Sequence, residues 1–148
     1  MLHAPLDPLG APPSRWPPIR SISVVIPVKN NALGIARTIG SVRVAEALCP
    51  VPVEIVVVDD GSDDGPWDAG AGPQDASPFS PLPLPRPLSL TARTAQSLGA
   101  RVVRAPGNGR YFGPFLLGVG TTRNAGIAAA IGDVIASLDA DCVVAPDY

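Results

Sequence analysis

Two acidic runs, each directly after an apolar run, hold the side chains best suited to chemistry in this 148-residue chain. The first closes DVIASLDAD, where Asp139-Ala-Asp141 sets two carboxylates two residues apart at a strand end, so that both can turn to the same side. Hard oxygen donors of this kind suit Mg²⁺ or Mn²⁺, ions that keep several waters and take substrate phosphates as further ligands. An Asp-x-Asp alone is a common solvated loop pattern. Its position after an apolar strand, with a second acidic strand end elsewhere in the chain, is what favours a functional reading. That second end is Asp59-Asp60, after VEIVVV and before Gly61-Ser62. Asp forms turns through local hydrogen bonds, so this pair fits a plain turn with Gly61. It equally fits carboxylates that accept from a nucleobase N–H or from ribose hydroxyls, and the local residues leave both open. Asp63 and Asp64 continue the run as a solvated rim.

These carboxylates need elements to aim them. SISVVIPV reads as a strand of β-branched residues with Pro27 at its end, where a missing N–H is tolerated, and Lys29, Asn30 and Asn31 form a polar corner after it. Asn30 or Asn31 caps a helix whose Ile35, Ile39 and Val42 share one face while Arg37 and Arg43 stay out, and Pro50 and Pro52 stop it. Val53 to Val58 is then a second strand, apolar at every position but Glu54 and without strict alternation, as a strand covered on both faces can be. A short helix from Ser89 through Leu98, ended by Gly99, leads to a third strand, ARVVRA. Thr121 or Thr122 caps a helix of Arg123 to Ile131, closed by Gly132, and DVIASLDAD is the fourth strand. The fold class that follows is α/β, an open Rossmann-like parallel sheet of order 3-2-1-4 with helices on both faces. Its switch point falls between strands 1 and 4, at the carboxyl ends, where the Pro27 to Asn31 corner meets both acidic runs. Arg123 is expected at a helix N-terminus, where a cation opposes the macrodipole unless an anion such as phosphate sits beside it; a plain surface position is the alternative.

The totals limit the remaining readings. Hydrophobic residues are 46% and charged residues 16%, a globular composition in one domain. The formal charge of -2, without a basic run, argues against a nucleic-acid partner. Cys49 and Cys142 fit neither a disulfide framework nor a metal-ligand spacing, Cys142 reads as a small core residue, and a reducing, cytoplasmic setting is the default. No apolar run is long enough for a membrane span, and the N-terminus does not read as a signal peptide. Thirteen of the 19 prolines crowd into residues 1–20 and 66–89. Residues 1–20 are therefore expected to be a poorly ordered leader, and residues 65–88 a surface insertion within a domain of 21–148. Residues 106–120, with Arg110, Tyr111, Phe112 and Phe115, form a second Gly-rich loop. The chain lacks a Gly-x-Gly-x-x-Gly after its first strand, a P-loop, and a Gly-x-Ser-x-Gly elbow.

Taken together, SVVIPVKNN, VEIVVVDDGSDDG and TRNAGIAAAIGDVIASLDAD resemble, in order, the family 2 glycosyltransferases, inverting enzymes of the GT-A nucleotide-sugar-binding fold. The resemblance implies that Pro27, Val28 and Asn30 line the nucleotide pocket and that Asp59 recognises the base, usually uracil. It implies further that Arg123 approaches the diphosphate or base, that Asp139 meets the ribose and the metal, and that Asp141 binds the metal, Mn²⁺ or Mg²⁺. The partners so implied are a nucleotide-sugar donor, a UDP-sugar, and a glycan, lipid or small-molecule acceptor. The setting is cytoplasmic, at the membrane surface if a downstream anchor exists. Many members carry Glu where Asn31 stands, and the segments before Leu98 and before Arg123 are longer than usual. The family's acceptor-binding half and catalytic base lie past Tyr148, so the resemblance implies a fold incomplete at its C-terminus, a chain with a donor site but no catalytic residue, and little turnover alone. A non-catalytic nucleotide-binding module and a sugar-nucleotide nucleotidyltransferase are the alternatives; PVKNN poorly matches the Gly-rich basic loop of the latter.

Overall fold

A computed structural model of the protein describes residues 17–65, 88–105 and 119–147. Most of the leader and of the 65–88 insertion, and the aromatic residues of the 106–120 loop, lie outside these. The elements run β1 (Ile22–Val28), α1 (Ala32–Glu46), β2 (Val53–Asp59), α2 (Leu90–Ser97), β3 (Arg101–Arg104), α3 (Val119–Ala129) and β4 (Val134–Ser137). The strands form one parallel sheet in the order β3-β2-β1-β4, the order expected from sequence.

β1 and β2 pair over their whole length, from Ile22 opposite Val53 to Val28 opposite Asp59. Because successive side chains alternate between faces, one apolar run serves two layers. Val24, Ile26, Val28, Ile55 and Val57 pack with Ile35, Ile39 and Val42 of α1 and Ala95 of α2. Val25, Val56 and Val58 face the opposite way, against Ala125 and Ala129 of α3. Each buried Val or Ile contributes about 1.5–3 kcal/mol on leaving water, so these two strands hold both layers to the sheet.

Local chemistry sets the ends of the elements. Asn31 caps α1, its Oδ1 accepting from the Gly34 N–H at 2.9 Å. Ser89 caps α2 through the Ala92 N–H, and Gly99 follows that helix at φ +76, a conformation that favours glycine. α3 differs from expectation: it begins at least as early as Val119, so Thr121 and Thr122 lie inside it and Arg123 is in its second turn, not at its start. It ends at Ala129, ahead of Ile131. Gly132 does something else: its N–H donates to Ser23 Oγ at 2.7 Å, and a Cβ there would stand 2.6 Å from the Ser23 nitrogen. Arg43 is half-buried rather than free, donating to Glu46 and to the Gly99 carbonyl.

β1 continues one residue past Pro27, which is buried and lies opposite Val58. Val134 and Leu138 donate to Ser21 and Val25, which places the odd-numbered residues of β1 on the β4 side. The next N–H owed to β4 would come from Pro27, which has none. The β1–β4 ladder stops there, whereas on the β2 side Asp60 still donates to the Val28 carbonyl at 2.9 Å. The crevice at the switch point therefore opens at a proline. No described helix is long and apolar enough to cross a membrane.

Candidate functional site

The carboxyl edge of the sheet gathers the residues singled out from sequence, though not all in the expected roles. Asp59 is only 3% exposed. Its Oδ1 accepts from the Ser62 N–H at 2.8 Å and its Oδ2 from Ser89 Oγ at 3.3 Å, so both oxygens hold the turn after β2 to the cap of α2. Asp60, one residue on, belongs by the alternation of the strand to the α3 side. Its Oδ1 is buried and has no hydrogen-bond partner. A buried carboxylate oxygen without a donor is costly, and a ligand N–H would relieve it. From the residues alone the Asp59-Asp60 pair fits a nucleobase or ribose contact jointly, and only the family resemblance singles out Asp59. The signal was present in the pattern: Asp59 stands two residues after Val57 and shares its face toward α1 and α2, and Asp60 does not.

The corner after β1 is clamped to the same turn. Asn30 sits at φ +49, outside the regions that non-glycine residues prefer. Its backbone N–H donates to Ser62 Oγ at 3.0 Å, its side-chain Nδ2 donates to Asp63 Oδ1 at 2.6 Å, and its side-chain Oδ1 accepts from the Asp63 N–H at 2.8 Å. Thr91, fully buried in α2, accepts from the Asn31 N–H at 2.9 Å and donates to Asp64. Asp64 also accepts from the Thr91 N–H at 3.2 Å. Asp64 is thus half-buried and structural, not the solvated rim expected, because it satisfies an orphan donor in the first turn of α2. Pro27 and Val28 are buried beneath this corner.

On the other side of β1, the acidic pair lies just past β4. Cys142 donates its N–H to the Asp139 carbonyl at 3.1 Å, so Asp139 and Asp141 belong to one turn. Both are exposed, and so is Cys142, which is no core residue: its carbonyl accepts from Thr38 of α1 at 2.8 Å while its side chain is left to solvent. Asp139 is ion-paired with Arg123 of α3, the two side chains being 57% and 39% exposed. The Nε of that guanidinium is buried without an acceptor. Among the described residues no group of three or more His, Cys, Asp or Glu stands ready to hold a metal. Two exposed carboxylates in one turn fit an ion that completes its shell with water and phosphate, and the unpartnered Arg123 Nε fits an incoming anion. Mn²⁺ or Mg²⁺ is compatible with this donor set.

Two hollows in the described residues lie away from this edge. One is bounded by Pro17, Pro18, Ile19, Arg20, Asp133 and Val134. The other lies between α1 and β4, and its lining is apolar apart from Glu46 and Cys49. Neither holds a buried side-chain donor or acceptor without a partner, and the Arg20 guanidinium at the first is exposed and paired with Asp133 at 3.5 Å. The opposite edge of the sheet is structural. Glu54 accepts from Ser23 Oγ at 2.5 Å, from the Ile131 N–H at 2.7 Å and from Arg101 at 3.0 Å. Burial alone would raise the Glu54 carboxyl, but these donors outweigh it and hold it below the usual range. Asp133 is lowered by the Arg20 N–H.

Known proteins share the fold. The family model for glycosyl transferase family 2 matches residues 23–71 and 93–148. The glucosyl-3-phosphoglycerate synthase of Mycobacterium tuberculosis, solved with Mn²⁺, UDP and glucosyl-3-phosphoglycerate, is 27% identical at a TM-score of 0.51, over 82% of this chain and 33% of that one. S. aureus TarS 1-349 shares the fold at 21% identity and a TM-score of 0.51, over 82% of this chain and 27% of its own. The chain thus spans about a third or less of the length of these neighbours. No curated protein matches it. With the strand order, the two acidic strand ends and the family match all in agreement, this chain belongs to glycosyl transferase family 2.

Proposed function

We propose that the chain forms the donor site of a metal-dependent, inverting glycosyltransferase that uses a nucleoside-diphosphate sugar, with UDP as the nucleotide. The observation that carries this reading is the meeting of Arg123 with Asp139, beside Asp141, at the edge that also holds the unpartnered oxygen of Asp60. Asp60 is the better base-recognition residue of the acidic pair, since Asp59 spends both oxygens on Ser62 and Ser89. A carboxylate there accepts the N–H of a uracil. Pro27, Val28 and Asn30 shape the floor and rim of the pocket, and Arg123 takes the diphosphate. Asp139 and Asp141 would hold Mn²⁺ or Mg²⁺, and Asp139 would also reach the ribose. The ion, when bound, supplies Lewis acidity to the departing diphosphate. The chain's own residues then bind and orient the donor while Arg123 neutralises charge. An inverting displacement further needs a base at the acceptor hydroxyl, and no described residue is assigned to it. The acceptor is a glycan, a lipid or a small molecule, and the reaction is a cytoplasmic one, at the membrane surface if a downstream anchor holds the protein there. The solved neighbour with Mn²⁺ and UDP supports the choice of ligands.

Calorimetric titration of UDP with and without Mn²⁺, on wild type, Asp60→Asn and Asp141→Ala, tests the reading. Binding should require Mn²⁺, disappear in Asp141→Ala and weaken about tenfold in Asp60→Asn, the effect of one charge-assisted hydrogen bond. Failure of wild type to bind UDP, GDP or dTDP with Mn²⁺ present would refute it.

A further inference from the structure

Building on that donor-site reading, we propose that Arg123 occupies the cation position on Asp139 until a nucleotide arrives, and so makes metal and nucleotide bind together. The guanidinium is poorly satisfied where it stands. Nη2 meets Asp139 Oδ1, but Nε is buried without an acceptor. A divalent ion held by Asp139 and Asp141 competes with Arg123 for the charge of the Asp139 carboxylate, because two cations on one carboxylate group repel each other and each weakens the hold on the other. Arg123 then needs another anion. A diphosphate provides one with the right shape, since the planar fork of arginine can engage two phosphate oxygens at once, through Nε as well as Nη2. Metal alone therefore displaces a bound cation without giving that cation a partner, and nucleotide alone meets an arginine already engaged. Each ligand removes the obstacle to the other, and by linkage the gain is equal in both directions.

The size of the effect follows from exposure. An ion pair this open to solvent is worth little, so Arg123 holds metal affinity down by roughly two- to fivefold. Loss of free Mn²⁺ by electron paramagnetic resonance reads this directly. In the absence of nucleotide, Arg123→Gln should bind Mn²⁺ about two- to fivefold more tightly than wild type. Its Mn²⁺ affinity should respond less to saturating UDP than wild type's does. Arg123→Met, of similar length without charge, repeats the test should Gln disturb the helix. Arg37→Gln, the same charge change at an exposed position of α1, should leave Mn²⁺ affinity unchanged. Mn²⁺ affinity in Arg123→Gln and Arg123→Met no higher than wild type, with UDP binding still Mn²⁺-dependent, would overturn the competition and leave the donor site standing. An equal gain in Arg37→Gln would overturn it too, by showing a long-range field. Absence of Mn²⁺ binding by wild type with and without UDP would remove the donor-site reading as well.

Discussion

Gly126 seats α3 on the sheet, and adding one methyl group there should reverse the usual effect of glycine replacement in a helix. Alanine is favoured over glycine in a helix interior by about 1 kcal/mol. A Cβ at Gly126, however, would fall on Val25 Cγ1 and stand 2.7 Å from Val58 Cγ2. Both valines are fully buried in central strands, and their branched side chains have little freedom to turn aside. Overpacking of this kind costs about 1–3 kcal/mol, and two rigid neighbours place it at the upper end. Gly126→Ala should therefore be less stable than wild type by about 2 kcal/mol net, or roughly 4–8 °C in Tm for a chain of this size. Gly40, in the middle of α1 and exposed, is the internal control, since a Cβ there meets nothing within 4 Å. Gly40→Ala should gain up to about 1 kcal/mol. Urea unfolding of the three proteins, compared at constant m, measures both. Because Arg123 lies one turn before Gly126, a raised α3 also shifts the guanidinium from Asp139, and Gly126→Ala should weaken UDP binding where Gly40→Ala does not. A Gly126→Ala protein as stable as wild type, or a destabilised Gly40→Ala protein, would refute this account of how the helix is seated.

Two other expectations concern the supports of the site. Thr91→Val keeps shape but leaves Asp64 and the Asn31 N–H each short of a buried partner; it should lose about 1–3 kcal/mol and weaken UDP binding, with Thr91→Ser restoring both in parallel unfolding and titration experiments. Glu54, held below its ordinary pKa, stabilises the fold above the unfolded value of roughly 4.3, and that contribution is lost as pH falls through the lower folded value. Glu54→Gln should accordingly be less stable than wild type by about 1–2 kcal/mol at pH 7, with the gap narrowing in urea melts below about pH 4.

Strand order, faces and the acidic edge were legible in the sequence because they depend on patterns that repeat over many residues. Uninterrupted β-branched runs required a sheet covered on both sides, and short helical segments between them required parallel pairing. The misread features each hang on one contact. Thr121 and Thr122 look like caps because Gly118 and Gly120 beside them discourage a helix, yet α3 passes through Gly120 and both threonines, and Thr122 is buried. The final strand looked long enough to carry Asp139 within it. Its ladder ends earlier because Pro27, on the neighbouring strand, has no hydrogen to give; a partner's missing donor is invisible until the pairing is known. Cys142 and Asp64 were misjudged for a similar reason. Their exposure depends on where a turn points and on which helix end needs an acceptor, neither of which is written in their own residue types.

The adjacent aspartates after β2 show how a strand divides one acidic signal into two tasks. Side chains one residue apart leave a pleated strand on opposite faces, so Asp59 and Asp60 cannot serve the same partner. Asp59 inherits the side of Ile55 and Val57, beneath α1 and α2. There it meets Ser89, the cap of α2, and closes the turn through Ser62. Asp60 inherits the side of Val56 and Val58, over which α3 is packed, and α3 carries Arg123. The carboxylate that organises the turn thereby has both oxygens engaged, and the one beside it keeps one buried, unpartnered oxygen on the side of the only described guanidinium with an orphaned buried nitrogen. Among the described residues the buried side-chain atoms without a partner are one acceptor, Asp60 Oδ1, and one donor, Arg123 Nε, and on the proposed donor-site reading a ligand with an N–H at one end and an anion at the other would satisfy both.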